Sequence, residues 1–390
     1  MTELRPGDAS LLRKVNTQAT LSALRREGVS TLTRLGRITG LSRQTVETVL
    51  DELKDRGWVR EVPPDEGVMG RPARRFEFRA DAGYVVGVEV GGERIVVSVA
   101  DLNGEVVACE RAAVSEEAAA PERLAAARRA ALACVDGAGV SRARVLAVSV
   151  GTSGIVDRSG RVSLSITLPG WTGVDLAGVA GRWFGCPALA ANDANLAALA
   201  EHWRGSAQHA SDVVYILVGH RPGAGILIGG RLHRGRSGAA GEIGTLRQVG
   251  WEDAAMELVA KELGAKDVGA KDVGAKELGA KELGKEGGAA EVFAAAGAGD
   301  ALAARRVDRY AENLAIGASA LVLTVDPDLL VIGGGYSRAG DVLLGPLRRH
   351  LAELCLSAPE VVASTFGDES VALGGVRLAL DHVEREVLGL

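Results

Sequence analysis

Two stretches of this 390-residue chain follow one pattern, and that duplication limits the fold more than any other feature. Residues 84–90, 94–101 and 105–109 are β-branched runs separated by Gly91-Gly92 and Asn103-Gly104, the punctuation of consecutive hairpin strands. An alanine-rich helical segment over 117–136 follows, then a strand over 145–150 that ends in Gly151. Residues 213–218 and 225–228 repeat the glycine-punctuated character and lead into Gly238, Gly241 and Gly244. A helix over about 301–323, a buried strand over 329–332 and the run Gly333-Gly334-Gly335 complete this half. Two related halves of sheet and helix, with glycine loops at the strand ends, predict a two-lobed α/β body with a cleft between the lobes. The 47% of hydrophobic residues supply a sizeable core, while 4% aromatics and 52 glycines suit small-residue packing and tight turns.

Ahead of the body lies a different kind of sequence. The net charge of −5 conceals a balance of +4 in residues 1–80 and −9 in the remainder, so a polyanionic partner is expected for the head alone. Leu21 and Leu24, then Leu32, Leu35 and Ile38, recur at helical spacing; Gly28 and Ser30 are expected to end one helix and cap the next. Thr39-Gly40-Leu41 reads as a tight turn, and Ser42 as the N-cap of a third helix over 43–56 whose buried stripe is Val46, Val49, Leu50 and Leu53. This outline is a helix-turn-helix. Ser42, Arg43, Gln44, Thr45 and Thr48 fall at the start and outer side of the third helix, where Arg suits guanine and Gln suits adenine in a major groove. A hairpin follows around a loop over 63–75. Its tip Gly70-Arg71-Pro72, with Arg74 and Arg75, suits a minor groove or backbone contact. The alternative is a small helical protein-interaction domain with a solvated basic hairpin.

No run approaches 18 uninterrupted apolar residues, and the first twenty residues mix charged and polar side chains. Neither a membrane span nor a signal peptide is expected, and the cytoplasm is the expected location. Cys109, Cys134, Cys186 and Cys355 are scattered without metal-ligand spacing, so no zinc site is expected and the four are read as small buried apolar groups.

In order along the chain, the winged head, Gly87-Val88-Glu89-Val90-Gly91-Gly92, Trp171, Asn192-Asp193-Ala194-Asn195, Ala200-Glu201-His202-Trp203, Gly238 through Gly244, Gly333-Gly334-Gly335 and Ala372-Leu373-Gly374-Gly375 resemble the ROK family of repressors, open reading frames and sugar kinases. The resemblance covers nearly the whole chain. It implies an actin-like ATPase (ribonuclease H-like) two-lobed body preceded by an all-α-plus-wing winged helix-turn-helix domain. The expected boundaries are 1–80 for the head, 81–205 for the first lobe and 206–390 for the second. It further implies that Asn192 and Asp193 match a pair holding sugar hydroxyls, with the aspartate as general base in the kinases. Glu242 matches another hydroxyl acceptor, Thr167 stands where an asparagine is expected, and Thr245 stands where a histidine is. Without that histidine and a following cysteine cluster, the family's structural zinc is not expected. Asn192-Asp193 also reads as a helix cap, and Glu242 as a surface carboxylate.

The departures set the expected function. Where the kinases read D-x-G-G-T-K, this chain reads Glu89-Val90-Gly91-Gly92-Glu93-Arg94, placing Glu93 against the negative charge of a triphosphate. The second phosphate loop is Gly219-His220-Arg221-Pro222-Gly223-Ala224-Gly225, where Pro222 removes a backbone donor. ATP binding is therefore expected to be lost, with no enzyme activity and no cofactor. The leading expectation is a homodimeric or homotetrameric regulator, a repressor, that binds a double-stranded DNA operator and uses its body for assembly and a sugar or sugar-derivative effector. The rivals are an ATP-dependent sugar kinase with an accessory head and a scaffold without effector response.

Five tandem pentapeptides over 260–284 interrupt the second lobe. A five-residue period turns about 140° per repeat on a helix, so Leu263, Val268, Val273, Leu278 and Leu283 form no single face. Acid-to-lysine pairs contribute about 0.2–0.5 kcal/mol each, while each glycine costs about 1 kcal/mol, so a frayed helix or surface loop is predicted.

Overall fold

The computed structural model describes residues 9–63, 73–219, 221–259 and 286–389. Arg71 and the wing tip, His220 and the pentapeptide repeats lie outside the described residues.

The head packs α1 (Ala9–Glu27), α2 (Leu32–Thr39) and α3 (Arg43–Asp55) beside a small sheet of order β1 (Ser30–Thr31), β3 (Arg75–Phe78), β2 (Val59–Val62). Leu21, Leu24, Leu35, Val46 and Leu50 are fully buried, so the apolar stripes read from the sequence converge. One local assignment changes. The N-cap of α2 is Thr31, whose side chain accepts from the Arg34 N–H, whereas Ser30 pairs with Phe76 in the sheet. The wing strand claims Ser30, and the cap moves one residue on. Gly40 closes the turn at φ 71°, a left-handed conformation that costs glycine least.

The first lobe holds β4 (Tyr84–Val90), β5 (Arg94–Asp101), β6 (Val106–Ala113), α4 (Ala120–Gly137) and β7 (Val145–Thr152). A two-stranded hairpin follows, β8 (Ile155–Val156) and β9 (Val162–Leu164), then α5 (Leu176–Phe184), β10 (Ala188–Asn192) and α6 (Asp193–Arg204). Its sheet has the order β10-β7-β4-β5-β6, with β10, β7 and β4 parallel and β5 and β6 antiparallel. The second lobe holds β11 (Val213–Leu217), β12 (Gly223–Ile228), β13 (Arg231–Leu232), α7 (Trp251–Val259), α8 (Glu286–Gly297) and α9 (Ala301–Val325). It continues through β14 (Leu329–Gly333), α10 (Asp341–Leu354) and β15 (Glu360–Ala363), in a sheet of order β13-β12-β11-β14-β15. In each lobe two antiparallel strands extend a parallel core, which is the duplication read from the glycine-punctuated runs.

The last helix, α11 (Ser370–Val383), returns from the second lobe to pack on β4 and β7 of the first and along α6. A Cβ at Gly374 would lie 1.8 Å from the Leu196 carbonyl oxygen, so glycine is what lets the α11 and α6 backbones meet. The core beneath α11 runs without interruption into the head: Leu21, Leu24, Phe76 and Phe78 share one buried cluster with Val85, Leu102, Ala379, Leu380 and Val383. Only one short turn, Ala80–Ala82, separates β3 from β4. Cys134 and Cys355 are buried as expected, but Cys186 is only half-buried and Cys109 is exposed on β6, because β6 is an edge strand of its sheet.

Candidate functional site

Helix α3 is held from its first turn. The Ser42 hydroxyl accepts from the Thr45 N–H at 3.1 Å and meets the Thr45 hydroxyl at 2.9 Å, while the Thr48 hydroxyl donates to the Gln44 carbonyl at 3.0 Å. Ser42, Thr45 and Thr48 thus shape the helix start, and Arg43 and Gln44 are exposed beside them. Arg43 makes no ion pair among the described residues, and neither does Arg37 at the end of α2, which the sequence reading had not singled out. Arg74 is engaged differently from its expected place in a cationic loop. Its guanidinium donates to both Glu61 oxygens at 3.0 Å and to Glu47 at 2.9 Å, and lies 5.1 Å over the Phe76 ring. It ties the wing to α3, and Glu61 in turn is held below the ordinary carboxylate range by its hydrogen bonds from Arg74.

The cleft residues gather where β10 gives way to α6. Asn192 is the N-cap of α6: its side-chain oxygen accepts from the Asn195 N–H at 3.1 Å and its amide donates to the Gly154 carbonyl at 3.2 Å. Asp193 accepts from the Ala194 N–H at 2.8 Å and stays partly exposed. Burial pushes its carboxyl above the ordinary range against the pull of those hydrogen bonds. Glu242, on the short turn Glu242–Thr245 of the second lobe, is raised by burial and then by the nearby charge of Asp193. Thr167 meets Ser153 at 2.9 Å and Ser165 at 3.2 Å, and Ser153 adjoins the Gly154 whose carbonyl Asn192 holds. Asn192, Asp193, Thr167 and Glu242 therefore belong to one neighbourhood of hydroxyls and hydroxyl acceptors. Thr245 differs: it is exposed, and its hydroxyl turns back onto the Glu242 carbonyl at 2.7 Å. Ser153 and Ser165 went unnoticed in the sequence, although the hydroxyl-rich run Ser163-Leu164-Ser165-Ile166-Thr167 carries a signal for them.

The first glycine loop is occupied from two sides. Behind it the fully buried Arg123 of α4 donates to the carbonyls of Gly91 at 2.5 Å and Gly92 at 2.6 Å, and to Ser115, Glu116 and Ala118. In front, Arg94 lies 3.5 Å from Glu89 and 3.2 Å from Asp368, and Asp368 also pairs with Arg338 of the second lobe. These ion pairs join strand β5, the turn after β14 and the turn before α11. Glu93 is exposed.

A second set of contacts fixes the head. Arg25 in the last turn of α1 donates to Glu384 at 2.8 Å and to the Leu102 carbonyl at 2.7 Å. Glu384 also accepts from Arg377 at 2.6 Å, and Arg377 lies 5.6 Å from the ring of Trp203 near the end of α6. Helix α6 thus begins at Asn192-Asp193 and ends beside the ion pairs that carry the head.

The chain is 26% identical over 399 residues to a xylose repressor of Caldicellulosiruptor bescii, covering 97% of this chain and 98% of the relative. A ROK family transcriptional regulator described as a homologue of the E. coli Mlc protein superposes with a TM-score of 0.71 over 97% of this chain and 98% of its own, at 20% identity. A ROK family glucokinase from Streptomyces griseus, solved with glucose and AMPPNP, superposes with a TM-score of 0.63 at 27% identity, over 77% of this chain and 100% of its own. A MarR family model matches residues 19–67. The ROK family model matches residues 85–382, most of the chain and both lobes of its body, and the protein belongs to the ROK family.

Proposed function

We propose that this protein is a DNA-binding transcriptional regulator, a repressor, whose winged head reads a palindromic operator and whose body supplies a homodimer or homotetramer and an effector cleft. The observation that carries this reading is the pairing of an exposed α3 start, Arg43 and Gln44, with a phosphate corner filled by the chain's own Arg94, Asp368 and Arg338. A triphosphate would have to displace those ion pairs and accept Glu89 and Glu93 as neighbours, which opposes nucleotide binding. Kinase activity is accordingly lost. Similarity to the xylose repressor, over nearly all of both chains, supports the same reading.

The resident effector is a sugar or sugar derivative whose hydroxyls meet Asp193, Glu242 and Thr167. Closure of the cleft on it reorients the head through α6 and α11, which are packed too closely at Gly374 to slide independently. In the head, Ser42, Thr45 and Thr48 set the helix start, Arg43 and Gln44 reach base edges, Arg71 contacts backbone or minor groove, and Arg74 holds the wing in register. Two-fold symmetry places half-sites about 10 bp or a multiple apart. Fluorescence anisotropy of the full-length protein on the DNA upstream of its own gene tests this: binding at physiological salt should exceed that to random duplex by at least about a thousandfold. Equal affinity for the two duplexes refutes it.

One observation favours the kinase alternative, namely the partly exposed Asp193 with a raised carboxyl, which suits a general base. That alternative requires sugar-dependent ADP release that disappears in Asp193→Asn, and the regulator reading expects none in either protein.

A further inference from the structure

The segment from Gly229 to Gly241 departs from the body's −9 balance, carrying Arg231, His233, Arg234 and Arg236 and no acidic residue. It leaves β13 and folds back so that the Ala240 N–H reaches the Arg234 carbonyl at 3.4 Å, two residues before Glu242. The same loop lies against the β8–β9 hairpin: a Cβ at Gly238 would sit 2.1 Å from the Val156 carbonyl oxygen, and Arg158 donates to the Gly235 carbonyl at 3.3 Å. Arg158 is thereby brought near Arg234, which sits on the loop that runs directly into Glu242. Arg234 is half-buried, and its side chain makes no hydrogen bond or ion pair among the described residues. Asp157, the carboxylate adjoining Arg158, is already spent on its own turn, accepting from the Ser159 N–H at 2.8 Å, the Ser159 hydroxyl at 2.6 Å and the Arg161 N–H at 3.1 Å. Burial, and after it the like charge of Arg158, disfavours the Arg234 cation. A desolvated cation beside a second one, with no counter-charge, is a costly arrangement that a bound anion relieves.

We infer that Arg234 and Arg158 form an anion subsite, so that the effector is an acidic sugar, bearing a phosphate or a carboxylate, whose hydroxyls face Asp193 and Glu242. This rests on the proposed sugar cleft and adds the charge of its ligand. Thermal shift and calorimetry on the full-length protein test it with glucose, glucose 6-phosphate, glucuronate and inorganic phosphate. At least one of the two acidic sugars should bind about tenfold or more tighter than glucose, as charge-assisted hydrogen bonds to a guanidinium require, and which one wins tells phosphate from carboxylate. Arg234→Met should reduce that acidic sugar to the affinity of glucose, leave binding of glucose unchanged, and melt no lower than the wild type in the absence of ligand. Asp193→Asn should weaken glucose and the acidic sugars alike. Glucose binding as tightly as both acidic sugars, or an unchanged preference in Arg234→Met, overturns the subsite while the sugar cleft stands. Inorganic phosphate binding as tightly as glucose 6-phosphate overturns the acidic sugar as its ligand, and a melting temperature unmoved by all four overturns both.

Discussion

Replacing Glu384 by Gln tests whether the head is fixed to the body by the ion pairs at the end of α11. The Arg25 and Glu384 side chains are 18% and 17% exposed and 2.8 Å apart. Exposed pairs contribute about 0–1 kcal/mol, and removing one partner of a fully buried pair costs about 3–5 kcal/mol. Glutamine keeps one acceptor oxygen for Arg25 or Arg377, and Arg25 keeps the Leu102 carbonyl, so about 2 kcal/mol is expected for this nearly buried site. Urea unfolding of the full-length chain measures it, and a cycle with Arg25→Met should return a coupling of about 1–2 kcal/mol. The pH dependence carries an independent sign. Burial alone would raise the Glu384 carboxyl, but Arg377 and then Arg25 outweigh it and hold it below its ordinary 4.5. The folded value lies below the unfolded one. The pair's contribution is therefore complete above 4.5 and is lost as pH falls through the lower folded value, and Glu384→Gln should lose that dependence. A coupling below about 0.5 kcal/mol, within the error of additivity, refutes the fixed-head reasoning.

Arg123→Met should cost about 3–5 kcal/mol, because it strands five carbonyl groups around a fully buried position; urea unfolding checks it, and a loss under about 1 kcal/mol shows that water replaces the guanidinium. Ser42→Ala should cost about 1 kcal/mol by removing the cap of α3, and operator affinity measured by anisotropy should fall with it; an unchanged stability refutes the capping role. Asp193→Asn should stabilise the ligand-free protein at neutral pH. A carboxyl raised by burial costs stability once pH exceeds its folded value, so the gain should shrink as pH falls through that value, which melting curves across pH will show.

The head was legible wherever its determinants are local. A cap, a left-handed glycine and an apolar stripe fix α3 within a dozen residues, and the boundaries 43–56 and Arg43–Asp55 differ by one position. Thr31 displaced Ser30 as the cap of α2 because β3, more than forty residues on, recruits Ser30 into a strand. The docking of the head was not legible at all. Arg25 and Glu384 are 359 residues apart, and neither carries a local mark of its partner. The charge split along the chain shows two bodies of opposite sign, yet the buried cluster beneath α11 runs through both.

Of the residues named through the resemblance, Asn192, Asp193, Thr167 and Glu242 fall into one neighbourhood and Thr245 turns away from it, and their bonds depend on loops that the sequence does not order. Asn192 reads equally as a cap and as a ligand contact, and its amide is committed to Gly154 and Asn195, which leaves Asp193 as the open polar group at the start of α6. Arg123 did leave a trace: it falls in the stripe Ala120, Ala127, Ala130 and Cys134, where a charge can persist only if the interior supplies acceptors. Those acceptors include the carbonyls of Gly91 and Gly92, so the same arginine that breaks the apolar stripe of α4 also orients the first glycine loop. The loop's carbonyls are thus engaged from behind by Arg123 while Arg94, beside it, is engaged by Glu89 and Asp368. The two arginines beside that loop and the turn after β14 therefore have their counter-charges within the chain, Arg94 with Glu89 and Asp368 and Arg338 with Asp368, so an anion arriving there competes with existing ion pairs rather than meeting free cations.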